Sequence, residues 1–415
     1  MGKVMMHGTL RDLIMRNQAI ETALYHLWKA ADRIWPKDNL ILICSNNGDK
    51  LTGSSLAFFE YLEKDDTCFE VGYYLPYEKA EEGVIPSLFH MLKAAPLFLH
   101  SRVLILGGDN WDCFPFLGWS HKKLCIDLWH GTPLKNIEIL GEPSDHPFRS
   151  DKKKIRHWSR LDKLIDIRIV ASKLEGHIIS QATMCDPRKI VILGHPRHDW
   201  LFEAQDFGVR DLLPDIPESS KLILYAPTYR GNSIDRNPTE GARLFPFEGF
   251  NREELERFLA ENDAYLLYRM HFYEEENLEE SERVRYFGPD LCNEVTKVLP
   301  NIDVLITDYS SIYIDYLLLN RPCIFIPYDL EDYQRTRGMV FDDYDFWTPG
   351  PKVYDWEGFK SSLQEAFTNP LKDADRRETV RSLLIKDVKG SRSGDLYQFI
   401  MKSLKENHRL EGDFS

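Results

Sequence analysis

The sequence predicts an α/β protein made of two doubly wound, Rossmann-like domains that face one another across a cleft. Three observations predict it. Short apolar runs alternate with longer amphipathic stretches, the pattern of a parallel, helix-covered sheet. The alternation pauses once, at 203–219, where Pro214 and Pro217 stand among polar residues, and then restarts. Polar, turn-rich motifs recur where the apolar runs end, and such sheets bind ligands at the carboxyl ends of their strands.

Each element follows from its spacing. Residues 11–35 carry apolar side chains at helical intervals, among them Leu13, Ala23, Leu24, Leu27 and Trp28. L-I-L-I-C (40–44) reads as a buried strand, Asn46-Asn47-Gly48 as a turn and 54–63 as a helix. Strands are expected at 69–75, 103–107 and 124–128, with a helix near 84–95. I-R-I-V-A (167–171), a helix over 173–183 and K-I-V-I-L-G (189–194) complete the first half. The second half is expected to place strands at 221–226, 264–269, 284–287, 304–307 and 323–326. Its helices fit 251–262, 310–319, 355–368 and 373–385, with a last one near 393–406. The division is 1–205, 206–390 and a C-terminal helix within 391–415 that packs back on the first domain.

Composition narrows the function. The 415 residues hold 52 Lys and Arg against 66 Asp and Glu, a net charge of −14. An acidic chain lacks the basic footprint that nucleic acid requires. Seven dispersed cysteines, none in a C-x-x-C pair, argue against a disulfide framework or structural zinc and suit a reducing cytoplasm. No signal-peptide pattern, myristoylation pattern or apolar run of membrane-spanning length is visible. Residues 149–173 nevertheless hold nine Lys and Arg against three acidic residues, including Lys152, Lys153 and Lys154. Such a patch attracts anionic lipid headgroups. Ile155, Trp158, Leu161, Leu164 and Ile165 recur within it at helical spacing. That stripe either meets a membrane interface or packs on the first domain.

Five strand ends carry chemistry. In I-D-L-W-H-G-T-P-L-K (126–135), His130 is an imidazole able to accept a proton near pH 7, and Gly131 lets backbone approach a ligand. G-H-P-R-H-D (194–199) supplies Arg197, a planar donor for phosphate oxygens. Y-A-P-T-Y-R-G (225–231) leaves Pro227 and Thr228 at a sheet edge. In Y-R-M-H-F (268–272), Arg269 and His271 lie two apart, so an extended backbone points both to one side. L-I-T-D-Y-S-S-I-Y-I-D (305–315) runs from a buried strand into a helix opening at Ser310 and Ser311. Hydroxyls and free N–H groups at a helix N-terminus form an anion site, and Asp315 follows on the same side. Each motif alone fits an ordinary turn or cap; together they suit a cleft that handles a diphosphate. No Walker A, G-x-G-x-x-G, G-x-S-x-G or H-E-x-x-H pattern is present.

These motifs, in order, resemble the CDP-glycerol glycerophosphotransferase family of bacterial teichoic acid and capsule synthesis. R-P-C-I-F-I-P-Y-D-L-E-D-Y (321–333), R-G-M-V-F-D (337–342) and P-G-P (349–351) extend the likeness, and G-D-K-L-T-G-S-S-L-A-F-F-E-Y (48–61) looks like the family's early domain. Phe272 departs from the pattern, where proline usually follows the R-x-H motif. The resemblance implies the glycosyltransferase-B architecture. It implies attack on the β-phosphorus of CDP-glycerol, with release of CMP and transfer to a lipid-linked glycerol phosphate or polymer acceptor. It makes His130 the catalytic base, with Trp129, Gly131, Thr132 and Pro133 in the turn that meets the donor. Arg197, Pro227, Thr228, Arg269, Met270, His271, Ser310, Ser311 and Asp315 fall on its donor-binding motifs, and His271 is expected to be catalytic alongside His130. No metal or cofactor is expected, since cationic protein groups can stand in for Mg²⁺. A lipid-linked acceptor implies a cytoplasmic protein held peripherally at the inner face of the cell membrane. Two rivals stand beside this: a same-fold transferase of CDP-ribitol or another nucleotide donor, and a non-catalytic polymer-binding protein.

Overall fold

Leu40–Cys44 forms the first strand, β1, buried at every position because helices cover both faces of its sheet. With it run β2 (Glu70–Tyr74), β3 (Val103–Leu106), β4 (Leu124–Asp127), β5 (Ile167–Val170) and β6 (Ile190–Ile192). All pair in parallel in the order β2-β1-β3-β4-β5-β6. A second sheet holds β7 (Lys221–Tyr225), β8 (Ala264–Tyr268), β9 (Val284–Tyr286), β10 (Val304–Thr307) and β11 (Cys323–Phe325). It is also all parallel, in the order β11-β10-β7-β8-β9. The computed structural model describes residues 18–44, 50–65, 67–75, 88–108, 120, 122–141, 151–228, 244–269, 280–386 and 390–412.

Strand order reverses between β1 and β3 in the first sheet and between β7 and β10 in the second. A crevice opens at each reversal, outside the carboxyl ends of the strands. Alternate side chains of the central strands feed opposite cores. Ile41, Ile43, Val103, Ile105 and Ile126 pack with Phe58 on one face of the first sheet. Leu42, Leu104 and Cys125 pack with Phe98 and Trp158 on the other.

Three segments tie the molecule together. The stretch around 203–219 is packed: Val209, Leu213 and Ile216 are buried in the same cluster as Leu222 and Leu224. The last helix, Arg392–Gly412, lies on the first half, with Leu396 and Ile400 in the cluster of Ile41 and Phe58. Asp199 anchors its start, accepting from Arg392 N at 2.7 Å, Ser393 N at 2.9 Å and Ser391 Oγ at 2.8 Å. The turn after β4 reaches the second half, where Leu134 O accepts from Val340 N at 3.0 Å.

Helix Asp151–Leu164 settles part of one alternative. Trp158 is fully buried, and Leu161, Leu164 and Ile165 are buried with it against the first sheet. Trp158 is therefore a core residue and not a membrane-facing one. The side chains of Lys152, Lys153 and Lys154 lie outside the described positions, as do the turn at 46–48 and the start of the helix expected at 84–95. Among the described residues, no helix is long and apolar enough to cross a membrane.

Candidate active site

The first wall of the site is built where β4 ends. Asp127 accepts the backbone N–H of Trp129 at 2.9 Å and pairs with buried Arg168. Burial pushes the Asp127 carboxyl up, against the pull of Arg168. The Asp127 hydrogen bond accompanies a left-handed backbone at Trp129, φ +50°, which is costly for so large a residue. The Trp129 indole is buried and stacks on the His130 ring, with centroids 4.3 Å apart. Gly131 follows at φ +118°. A Cβ there would lie 2.3 Å from Nη2 of Arg197, so glycine is needed for both space and conformation. Thr132 and Pro133 are buried as the chain leaves toward the second half.

Arg197 fixes this turn to the opposite wall. Its Nη1 donates to the His130 carbonyl at 2.8 Å. Its Nε and Nη2 donate to the two carboxylate oxygens of Asp315, each at 2.9 Å. Such a two-pronged guanidinium–carboxylate pair is the most directional ion pair available. His198 Nε2 lies 3.0 Å from the same Asp315 oxygen. Burial opposes the charge on Asp315, but Arg197 and His198 hold its carboxyl far below the usual range. Asp315 and Arg197, both expected to contact a donor, thus spend their charges on one another.

His130 is exposed as a residue, but its ring stacks on Trp129 and protein crowds it. That crowding, then Arg197 and His195, push its pKa down to about 4, with Glu175 pulling slightly the other way. The ring is neutral at pH 7 and can accept a proton. Burial likewise holds His198 down at about 4, against the pull of Asp315.

The second wall lies at the reversal point of the second sheet. Asp308 accepts the N–H of Thr228 at 2.7 Å and that of Tyr309 at 2.5 Å, joining the segments that follow β7 and β10. Thr307 Oγ1 donates to Ala226 O at 2.7 Å, which steadies the backbone before Pro227. Thr228 is buried, and its hydroxyl has no partner among the described residues. Ser310 is half-buried and Ser311 exposed. The helix expected over 310–319 is shorter: Ile312–Tyr316, continued by a 3₁₀ turn at Leu317–Leu319. Ser311 occupies the cap position in a helical conformation, with no side-chain cap bond. Five helical residues provide little dipole, so anion binding here rests on hydroxyls and nearby cations.

Arg269 stands at the end of β8. Its guanidinium donates to the carbonyls of Cys292 at 2.8 Å, Phe287 at 3.3 Å and Asn293 at 3.4 Å. Met270 and His271 lie outside the described residues.

Behind His130 sits a pair that the motifs did not reveal. Glu175 is fully buried and lies 3.0 Å from His195 Nε2. Burial opposes ionisation of Glu175, but His195 and the Ala171 N–H lower its pKa. His195 was visible in G-H-P-R-H-D, but its partner lies twenty residues upstream on another element.

Two all-parallel sheets with facing strand ends and a reversal on each side of the cleft define an α/β protein of the glycosyltransferase-B type. The chain belongs to the CDP-Glycerol:Poly(glycerophosphate) glycerophosphotransferase family, whose profile matches residues 28–402. It is 29% identical over 346 residues to a teichoic acid poly(ribitol-phosphate) polymerase from Bacillus spizizenii, covering 80% of this chain and 52% of that protein. It is 27% identical over 370 residues to a teichoic acid glycerol-phosphate transferase from Staphylococcus aureus, covering 83% of this chain and 88% of the relative. The chain spans about half the length of three of the polymerases it matches. A solved structure of the wall teichoic acid polymerase TagF superposes with a TM-score of 0.76 at 22% identity, covering 96% of each chain. A variant of TagF soaked with CDPG gives a TM-score of 0.74 at the same identity, covering 96% of each chain. These likenesses show the fold.

Proposed function

We propose that this chain transfers glycerol phosphate from CDP-glycerol to a hydroxyl of a lipid-linked, teichoic-acid or capsule-type acceptor and releases CMP. One observation carries the reading: Arg197 joins the carbonyl of His130 to Asp315, on the short helix that Ser310 and Ser311 precede. In this reading the neutral His130 ring and the Ser310 and Ser311 hydroxyls line one cleft. The acceptor hydroxyl gives its proton to His130, and its oxygen bonds to the β-phosphorus. The bridging P–O bond breaks, and the electron pair leaves with CMP. Ser310, Ser311, Thr228, Arg269 and His271 hold the diphosphate and steady its growing charge. Burial first, and then the Arg197 charge, keeps His130 weakly basic in the free protein. A bound diphosphate offsets that charge and makes the ring a better base when substrate is present.

The 1–205 domain offers the acceptor side and the 206–390 domain the donor side. A lipid-linked acceptor places the work at the cytoplasmic face of the membrane, with the basic segment 149–173 as the contact. The second reading is CDP-ribitol as donor, favoured by the ribitol-phosphate polymerase among the relatives. CMP release decides between them, measured with CDP-glycerol or CDP-ribitol, with and without a lipid-linked acceptor. Acceptor-dependent release from CDP-glycerol is expected. Release from neither donor would overturn the reading.

A further inference from the structure

A second helix start faces the cleft, in the first half. The helix Gly53–Lys64 follows β1, at the reversal point of the first sheet. It is 12 residues long, and its cap residue Thr52 makes no side-chain cap bond. Ser54 and Ser55 are 3% and 2% exposed, yet neither hydroxyl has a hydrogen-bond partner among the described residues. Buried hydroxyls without partners are rare, because each forfeits its bonds to water. Side chains in a first turn lean toward the helix N-terminus, where the free N–H groups also point. Gly53 opens the turn at φ +55°, and a Cβ added there would meet nothing within 4 Å.

An anion of the chain already stands at this end. Glu294 comes from the second half, and its carboxyl is held against the Gly53 N–H. The charges of Arg197, Lys297 and Arg269 act on that carboxyl and favour its ionised form. Burial raises its pKa despite those three cations. Lys297 is itself pinned by Glu60, on the same helix, and lies over the Trp200 ring, 4.8 Å from its centroid. A backbone donor and cations of both halves thus act on one carboxylate, while the two serine hydroxyls stay unbonded among the described residues.

We infer that Gly53, Ser54 and Ser55 form a second anion site, which takes a phosphodiester of the acceptor while Glu294 holds the place until it is displaced. The site mirrors the first: T-G-S-S (52–55) follows the reversal strand of one sheet, and D-Y-S-S (308–311) that of the other. A growing polyol-phosphate chain carries a phosphodiester next to its terminal hydroxyl, so gripping that group presents the hydroxyl toward His130. The identity of the anion rests on the proposed transfer; the existence of the site does not.

The test is calorimetric titration with diglycerol phosphate, inorganic phosphate and CDP-glycerol. Against the wild type, the double variant Ser54→Ala, Ser55→Ala should bind diglycerol phosphate at least about 10-fold more weakly, as expected when charge-assisted hydrogen bonds are lost. Its affinity for CDP-glycerol should be unchanged. Equal affinity of variant and wild type for the diester, or no binding of the diester by either, overturns the inference. Inorganic phosphate binding as tightly as the diester overturns the acceptor assignment. If the double variant does not fold, Glu294→Gln decides: tighter diester binding supports displacement, and unchanged affinity refutes it. Diester binding that splits as expected, in a protein that releases no CMP, would sink the proposed transfer and leave the site standing.

Discussion

Arg197 and Asp315 clasp one another across the two halves of the molecule, with both carboxylate oxygens 2.9 Å from the guanidinium. The same guanidinium holds the His130 carbonyl at 2.8 Å. The pair therefore ties the His130 turn to the short helix that Ser310 and Ser311 precede.

Asp315→Ala should strand Arg197 and His198 without their shared acceptor. Breaking one partner of a buried pair costs about 3–5 kcal/mol. Urea unfolding should show that loss. A variant as stable as the wild type would mean that the pair is solvated and mechanically idle.

His130→Ala should lower turnover by about 100-fold or more, typical of general-base loss. CDP-glycerol affinity should change little, because the ring receives the acceptor's proton. Steady-state CMP release, paired with calorimetry of donor binding, checks both halves of the expectation. Near-normal turnover would remove His130 from the base role.

The strands were legible because a strand buried on both faces must be apolar throughout, and L-I-L-I-C (40–44) has no other comfortable environment. The strand-end motifs were legible because turns at a sheet edge need Gly, Pro, Ser and Thr. The partners of those motifs were not. Nothing local says that Asp315 meets Arg197, 118 residues away, rather than a donor. Nor does periodicity reveal that Glu175 meets His195, or that Glu294 lies against Gly53. The helix after Ser311 was expected to run to 319, but it tightens into a 3₁₀ turn at Leu317–Leu319 and ends at Asn320 in a left-handed conformation. Trp158 shows the same limit: an amphipathic stripe names a buried face but not what covers it.

Gly131→Ala tests the turn itself. The new methyl would stand 2.3 Å from Arg197 Nη2, on a backbone at φ +118°. Either Arg197 or the His130 carbonyl must move. Turnover should fall at least about 10-fold, because small misplacements of a catalytic group are costly. Kinetics alongside circular dichroism separate this from unfolding, and unchanged turnover would show that the turn tolerates the shift.

Replacing Ser310 and Ser311 together by alanine should weaken CDP-glycerol binding more than cytidine binding. Ser311 is exposed and makes no side-chain cap bond, and Ser310 is half-buried, so the change should scarcely alter stability. Calorimetry with both ligands gives the comparison. Equal losses for the two would contradict a phosphate role.

The last prediction concerns acid. In the folded protein His198 has its pKa held down at about 4, against an ordinary value of 6.5. Between those values the unfolded chain binds the proton and the folded chain does not, so stability falls as pH drops from about 6.5 toward 4. His198 alone contributes at most about 1.4 kcal/mol per pH unit in that window. His130 acts in the same direction. Asp127 and Glu294, both raised by burial, act in the opposite sense. Asp315, held far down, keeps its charge throughout and contributes no slope until pH falls below its ordinary value of 3.8. The histidine part is isolated by His198→Gln, which keeps a donor for Asp315 but cannot titrate. Urea midpoints at pH 7, 6 and 5 should fall more steeply for the wild type than for the variant. Parallel slopes would mean that His198 is already charged when folded, and the shared Asp315 would then bind two cations instead of one.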